Sequence, residues 1–174
     1  MRIFAVICLV LVVSHVWAGF SPSIVKDVSY LCPNSPALMH AGCQVSIEFK
    51  NSCTEVQSEV RNRVNGVGGW TDPHNNGTYT LIAETAKLIE LSRLTGDGKY
   101  TDLINFAFEA SGSGCSVKAC SESQVYSIGD AGTNFCNIHD LYCTEEGCNP
   151  IKSGLKYEET AGKCTSENPS KCIA

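Results

Sequence analysis

Charge is sparse in this chain: Asp, Glu, Lys and Arg make up 18% of its 174 residues, below the roughly 25% usual in soluble domains. Long runs of one sign are missing too, and the balance is acidic, a formal −5 that becomes −6 without Arg2. A surface of that sign repels phosphate backbones and anionic lipid at long range, so nucleic acid is not an expected partner and neither is a membrane. Phosphate-cradling glycine loops, a His-Glu-x-x-His helix and a Gly-x-Ser-x-Gly elbow are all absent, which removes the common nucleotide, metalloprotease and serine-hydrolase chemistries. Gly112-Ser113-Gly114 reads as a flexible linker of small residues. Zinc sites favour close Cys-x-x-Cys pairs and none occurs, so neither a metal nor a cofactor is expected.

The front of the chain is the longest apolar run. Met1 and Arg2 precede an unbroken stretch from Ile3 to Val13, followed by Val16-Trp17-Ala18. One positive charge, an apolar run of about 7 to 15 residues and small residues at the cut site describe a secretory signal. The run falls short of the roughly 20 residues a spanning helix needs. The expectation is cleavage after Ala18, secretion, and an extracellular chain beginning at Gly19.

Cysteine carries most of the information. Of eleven, Cys8 leaves with the leader. The remainder are Cys32, Cys43, Cys53, Cys115, Cys120, Cys136, Cys143, Cys148, Cys164 and Cys172. An even number behind a leader predicts a disulfide framework with every cysteine paired. Asn76-Gly77-Thr78 is a glycosylation sequon in an exported chain, hence an expected surface position.

The spacing of apolar residues divides the chain into a leader (1–18), an irregular N-terminal segment (19–52), an α+β core (53–143) and a tail tethered by disulfides (144–174). Thr54 and Gln57 have the capping-box spacing, and Val56, Val60 and Val64 recur near helical period with Glu59 and Arg63 on other faces, predicting a helix over 54–64 stopped by Asn65-Gly66. Period two then takes over. Strands are predicted at 78–84, with Tyr79, Leu81 and Ala83 on one face, at 88–94, and at 100–109 with Ile104, Phe106 and Phe108 inward. Asp97-Gly98 marks a turn. Two further strands are expected around 115–128 and 134–143. Residues five or seven apart in a strand are too distant for a disulfide, so Cys115 should not pair with Cys120, nor Cys136 with Cys143.

One N-terminal helix followed by a curled antiparallel sheet of four or five strands resembles the cystatin-like element order over residues 53–143. The inhibitory Gln-x-Val-x-Gly of that family is not reproduced: Gln124-Val125-Tyr126-Ser127-Ile128-Gly129 is spaced differently. Cys136-Asn-Ile-His139-Asp140-Leu-Tyr-Cys143 resembles the Cys-x-x-His-Asp-x-Cys helix of secreted phospholipases A2, a resemblance that implies a water-activating role for His139 and a calcium role for Asp140. The cysteine falls one residue late, the preceding calcium loop is missing, and one carboxylate supplies too few oxygens for calcium.

The candidate catalytic residues are therefore His139 with Asp140, and His74 with Asp72 in Asp72-Pro73-His74-Asn75-Asn76-Gly77, a sequence that equally suits a surface turn. Trp70 beside that turn offers a flat contact surface. With few titratable clusters and many cysteines, the leading expectation is a noncatalytic extracellular binding or effector protein, monomeric, whose partner is an extracellular protein, a glycan or a small ligand. A small hydrolase using His139/Asp140 is the alternative, and a matrix or coat component the third.

Overall fold

The computed structural model describes residues 32–152 and 154–173; the segment expected to be a leader and the rest of residues 1–31 lie outside them. The described elements are β1 (Gly42–Phe49), α1 (Cys53–Val64), β2 (Thr78–Glu84), β3 (Leu88–Leu94), β4 (Thr101–Ser111), β5 (Gly114–Ser123), α2 (Thr133–His139) and β6 (Tyr157–Cys164). The strands form one antiparallel sheet in the order β2-β3-β4-β5-β1-β6. One face is core: Cys43, Val45, Ile47 and Phe49 of β1, Ile89 and Leu91 of β3, Ile104, Phe106 and Phe108 of β4, and Val117 and Ala119 of β5 are buried there with Val56 and Val60 of α1 and Phe135 and Ile138 of α2. Alternation along each strand follows from the period-two geometry of the pleat.

The mixed helix and antiparallel-sheet class was expected, and so were α1 and the strands at 78–84, 88–94 and 100–109. A single N-terminal helix and a cystatin-like order are not confirmed: the described residues form six strands and two α-helices, β1 precedes α1, and α2 separates β5 from β6. Within the segment read as irregular, Cys43, Val45, Ile47 and Phe49 alternate with Gln44, Ser46 and Glu48, and the resulting strand sits inside the sheet between β5 and β6. The tail is more than a tether, since β6 pairs with β1 from Cys43↔Cys164 to Phe49↔Tyr157.

The segment at 134–143, expected as a strand, opens as α2. Asp130 accepts from the backbone N–H groups of Gly132 and Asn134 and organises the helix start. Phe135 and Ile138 keep helical spacing, but every residue from Asn134 to His139 is buried, so no polar face betrays the period. The Gly112-Ser113 pair is a tight hairpin joining β4 to β5, with Gly112 at φ +60°, rather than a flexible linker.

The helix cap also shifts. Ser52 is the N-cap of α1: its hydroxyl accepts from the Glu55 N–H, and the Glu55 carboxylate accepts from the Ser52 N–H. Gln57 instead donates to the Ala86 carbonyl at 2.9 Å. Glu59 and Arg63, expected outward, are fully buried as an i,i+4 ion pair at 2.7 Å. Glu59 accepts from the backbone N–H groups of Ile151 and Lys152, and Arg63 donates to the carbonyls of Asp140 and Cys143. The helix thus holds both loops that follow α2 by charge-assisted bonds.

All ten expected cysteines pair: Cys32–Cys120, Cys43–Cys164, Cys53–Cys115, Cys136–Cys172 and Cys143–Cys148. Four of these bridges join positions 36 to 121 residues apart, tying the N-terminal side, both helices and the tail to the sheet. The excluded pairs 115/120 and 136/143 are indeed not formed. The distance argument holds for Cys115 and Cys120 within β5, whereas Cys136 lies in a helix and Cys143 turns back on Cys148 five residues later.

Candidate binding site

The two histidines proposed for catalysis are both committed to holding segments together. His74 places Nδ1 2.8 Å from the Lys171 carbonyl and Nε2 3.2 Å from the Thr133 hydroxyl, linking the loop before β2 to the tail and to the start of α2. His139 places Nδ1 2.9 Å from a Glu159 carboxylate oxygen on β6, and its ring stacks on Phe135 at 5.3 Å. The Tyr142 hydroxyl donates to the same Glu159 oxygen. Neither histidine partners the aspartate expected for it.

The structure instead brings Asp72 and Asp140 together. Asp72 accepts from Arg93 Nη2 and from the Gly77 N–H at 2.7 Å, while its other oxygen and both oxygens of Asp140 have no donor. A proton on Asp140, donated to Asp72, resolves that shortage. Burial, then the negative charge of Asp72 and the hydrogen bond between the two carboxyls, push Asp140 up to about 9. Arg93 also donates to the Asn75 side chain at 2.7 Å and lies over the Tyr79 ring at 5.5 Å. Its guanidinium fills the place a side chain at position 77 would need, for a Cβ on Gly77 would come within 2.4 Å of it.

Asp72 and Asp140 are 1% and 0% exposed, and Arg93 and the Gly77 N–H hold one Asp72 oxygen, so the shared proton pairs two buried carboxyls. Asp72 and Tyr79 contribute to the wall of a shallow cleft of about 320 Å³ with Arg63, Asn76 and Gly77. Trp70, expected to offer a flat contact surface, also lines that cleft but is 8% exposed and donates its indole N–H to the Cys148 carbonyl at 3.1 Å.

A second cleft, of about 300 Å³, opens where β4 and β5 end. Asp102, Ser123, Asp130 and Thr133 line it with Tyr100, Val125 and Tyr126. Beneath it runs a buried polar ladder. Asn137 Nδ2 donates to the Asp102 carboxylate at 2.7 Å and to Ser121 Oγ at 3.1 Å, Ser121 donates to the Asn134 carbonyl oxygen, and Asn134 Nδ2 reaches Ser123 and Asp130. Every amide donor in that ladder is used, which fixes Asp102 in place. Around the opening the side chains are apolar and exposed: Tyr100 at 51%, Tyr126 at 65% and Ile128 at 71%, with Leu38 and Met39 on the neighbouring segment. Ser127 joins the two segments, donating its N–H to the Met39 carbonyl and accepting from the Ala41 N–H.

None of these cleft residues had been singled out from the sequence apart from the spacing at Gln124 to Gly129. The available signal was Asn134 and Asn137, two amides one helical turn apart in an otherwise apolar run, which need buried partners.

Comparison with protein families finds none that matches, and comparison with curated proteins finds none either. Among solved structures, one similar chain is CalU16 from Micromonospora echinospora, at 10% identity and a TM-score of 0.38, with 49% of this chain and 62% of that one covered. The chain thus spans less than two thirds of that structure's length, and so remote a likeness indicates no activity.

Proposed function

We propose that this is a secreted, noncatalytic binding protein whose binding face is the cleft at the ends of β4 and β5. The observation that carries the reading is that the Asp102 carboxylate lines the same cleft as the exposed Tyr100 and Tyr126. An acidic group and aromatic side chains in one cleft suit a small ligand with an apolar body and a cationic head. A cleft of this size admits one small molecule or one side chain of a larger partner.

Five disulfides among the described residues are of the kind extracellular proteins carry, and no described helix is long and apolar enough to cross a membrane. Asn76 sits exposed on a turn with φ +56°, a position open to a glycan. The hydrolase alternative loses support because both ring nitrogens of His74 and Nδ1 of His139 are held by groups other than Asp72 and Asp140.

Calorimetric titration with tetramethylammonium and with butylammonium tests the reading. Binding that disappears in Asp102→Asn and weakens in Tyr126→Ala supports it; no heat from either cation up to tens of millimolar, or equal binding by Asp102→Asn, overturns it.

A further inference from the structure

Beside the end of α2, four side chains of metal-binding type converge around the Cys143–Cys148 bridge. One nitrogen of His139, one oxygen of Glu145 and the two sulfurs all lie within 4.8 Å of one another. Tetrahedral zinc binds thiolate at about 2.3 Å and imidazole or carboxylate at about 2.0 to 2.2 Å, which places its ligands roughly 3 to 4 Å apart. The four residues between Cys143 and Cys148 are at the upper end of the spacing zinc sites use.

The surroundings are also those of a built site. Glu159 holds His139 through Nδ1, so the lone pair of the neutral ring is on Nε2, which faces Glu145 Oε2 at 3.9 Å. Carboxylate support of the far ring nitrogen is the usual way a metal-binding histidine is oriented. Tyr157 donates to the other Glu145 oxygen at 2.7 Å, while Oε2, which accepts the Thr144 N–H at 3.0 Å, lies 3.5 Å from the Cys148 sulfur. Arg63 Nη1 lies 3.7 Å from the Cys143 sulfur. Both cysteines of the bridge are buried, so a reductant reaches the sulfurs through local opening of the 143–148 loop.

We infer that the Cys143–Cys148 bridge is a redox latch over a zinc site formed by Cys143, Cys148, His139 and Glu145. A dithiol reductant gives up two electrons and two protons, becoming a disulfide, while the S–S bond breaks into two thiols. Zinc then displaces both thiol protons to solvent and gains two thiolates, the His139 nitrogen and one Glu145 oxygen. The bridge closes the shortest loop of the five, so its opening releases the least chain entropy and leaves the sheet cross-linked by the other four.

The test uses the full oxidised chain. Stepwise exposure to a dithiol, with alkylation and mass mapping of free thiols, identifies the first bridge to open, and cobalt(II) serves as the spectroscopic probe. The expected result is opening at Cys143–Cys148 with the circular dichroism retained, then uptake of one cobalt per chain with thiolate charge-transfer and tetrahedral visible bands. Glu145→Gln, altered at a half-exposed side chain, should weaken cobalt binding by roughly tenfold or more. Opening of another bridge first, unfolding before this bridge opens, a folded reduced chain that takes up no cobalt, or equal affinity in Glu145→Gln would each overturn the inference.

Discussion

Asp140 keeps a proton that most carboxyls have lost by neutral pH, because it is buried against Asp72. Its ordinary value is 3.8 and its folded value is about 9. Between those values the native state binds a proton that the unfolded chain releases, so this group makes stability fall as pH rises from about 4 to about 9; below that window both states are protonated and the term vanishes. Asp140→Asn supplies a permanent N–H to Asp72 and removes the titration. The melting temperature of the variant should therefore exceed that of the wild type by a few degrees near pH 8 and approach it near pH 4, and a gap independent of pH would refute the shared proton. Asp72→Asn acts in the opposite sense. It leaves the buried Arg93 without its counter-ion, a loss of about 3 to 5 kcal/mol, which denaturant unfolding at pH 7 would read out.

At the scale of elements, the helix cap separates what composition suggests from what the chain adopts. Ser52 and Glu55 close the capping box, so Ser52→Ala should cost about 1 kcal/mol, whereas Thr54→Ala should change stability by less than about 0.5 kcal/mol as a surface substitution does. Equal effects in urea unfolding would place the cap elsewhere. Elements with one wet face were legible in the sequence, as α1 and β4 illustrate: their apolar residues recur at a single period. Elements that depart from that condition were not. All residues of α2 from Asn134 to His139 are buried, so its period carries no polar contrast. Edge strand β6, Tyr-Glu-Glu-Thr-Ala-Gly-Lys-Cys, has little apolar content because it leans on β1 through backbone pairing and the Cys43–Cys164 bridge. In β2, an edge strand with a register shift between Leu81 and Ala83, Tyr79 alone stays buried.

For the molecule as a whole, the candidate site was less legible than the fold, for a physical reason. His139 directly precedes Asp140, and His74 stands two residues after Asp72, but the histidines turn to Glu159, Lys171 and Thr133 while the two aspartates meet each other. Clefts form where one strand begins beside the end of another, as Asp102 of β4 and Ser123 of β5 pair across 21 residues of sequence, and single-residue motifs do not report such junctions. What holds those junctions is covalent as much as packed: each bridge contributes roughly 2 to 4 kcal/mol, comparable in total with the whole stability of an ordinary domain. Strong reductant should accordingly abolish the cooperative thermal transition, and an unchanged transition would show that packing alone suffices.

The most direct measurement of the binding account is a heteronuclear NMR titration of the oxidised, isotopically labelled protein with butylammonium. Saturable shifts confined to residues 95–102 and 123–133, centred on Asp102 and Tyr126, are the predicted result. Shifts centred on His74 or His139, or none anywhere in the spectrum, would contradict it.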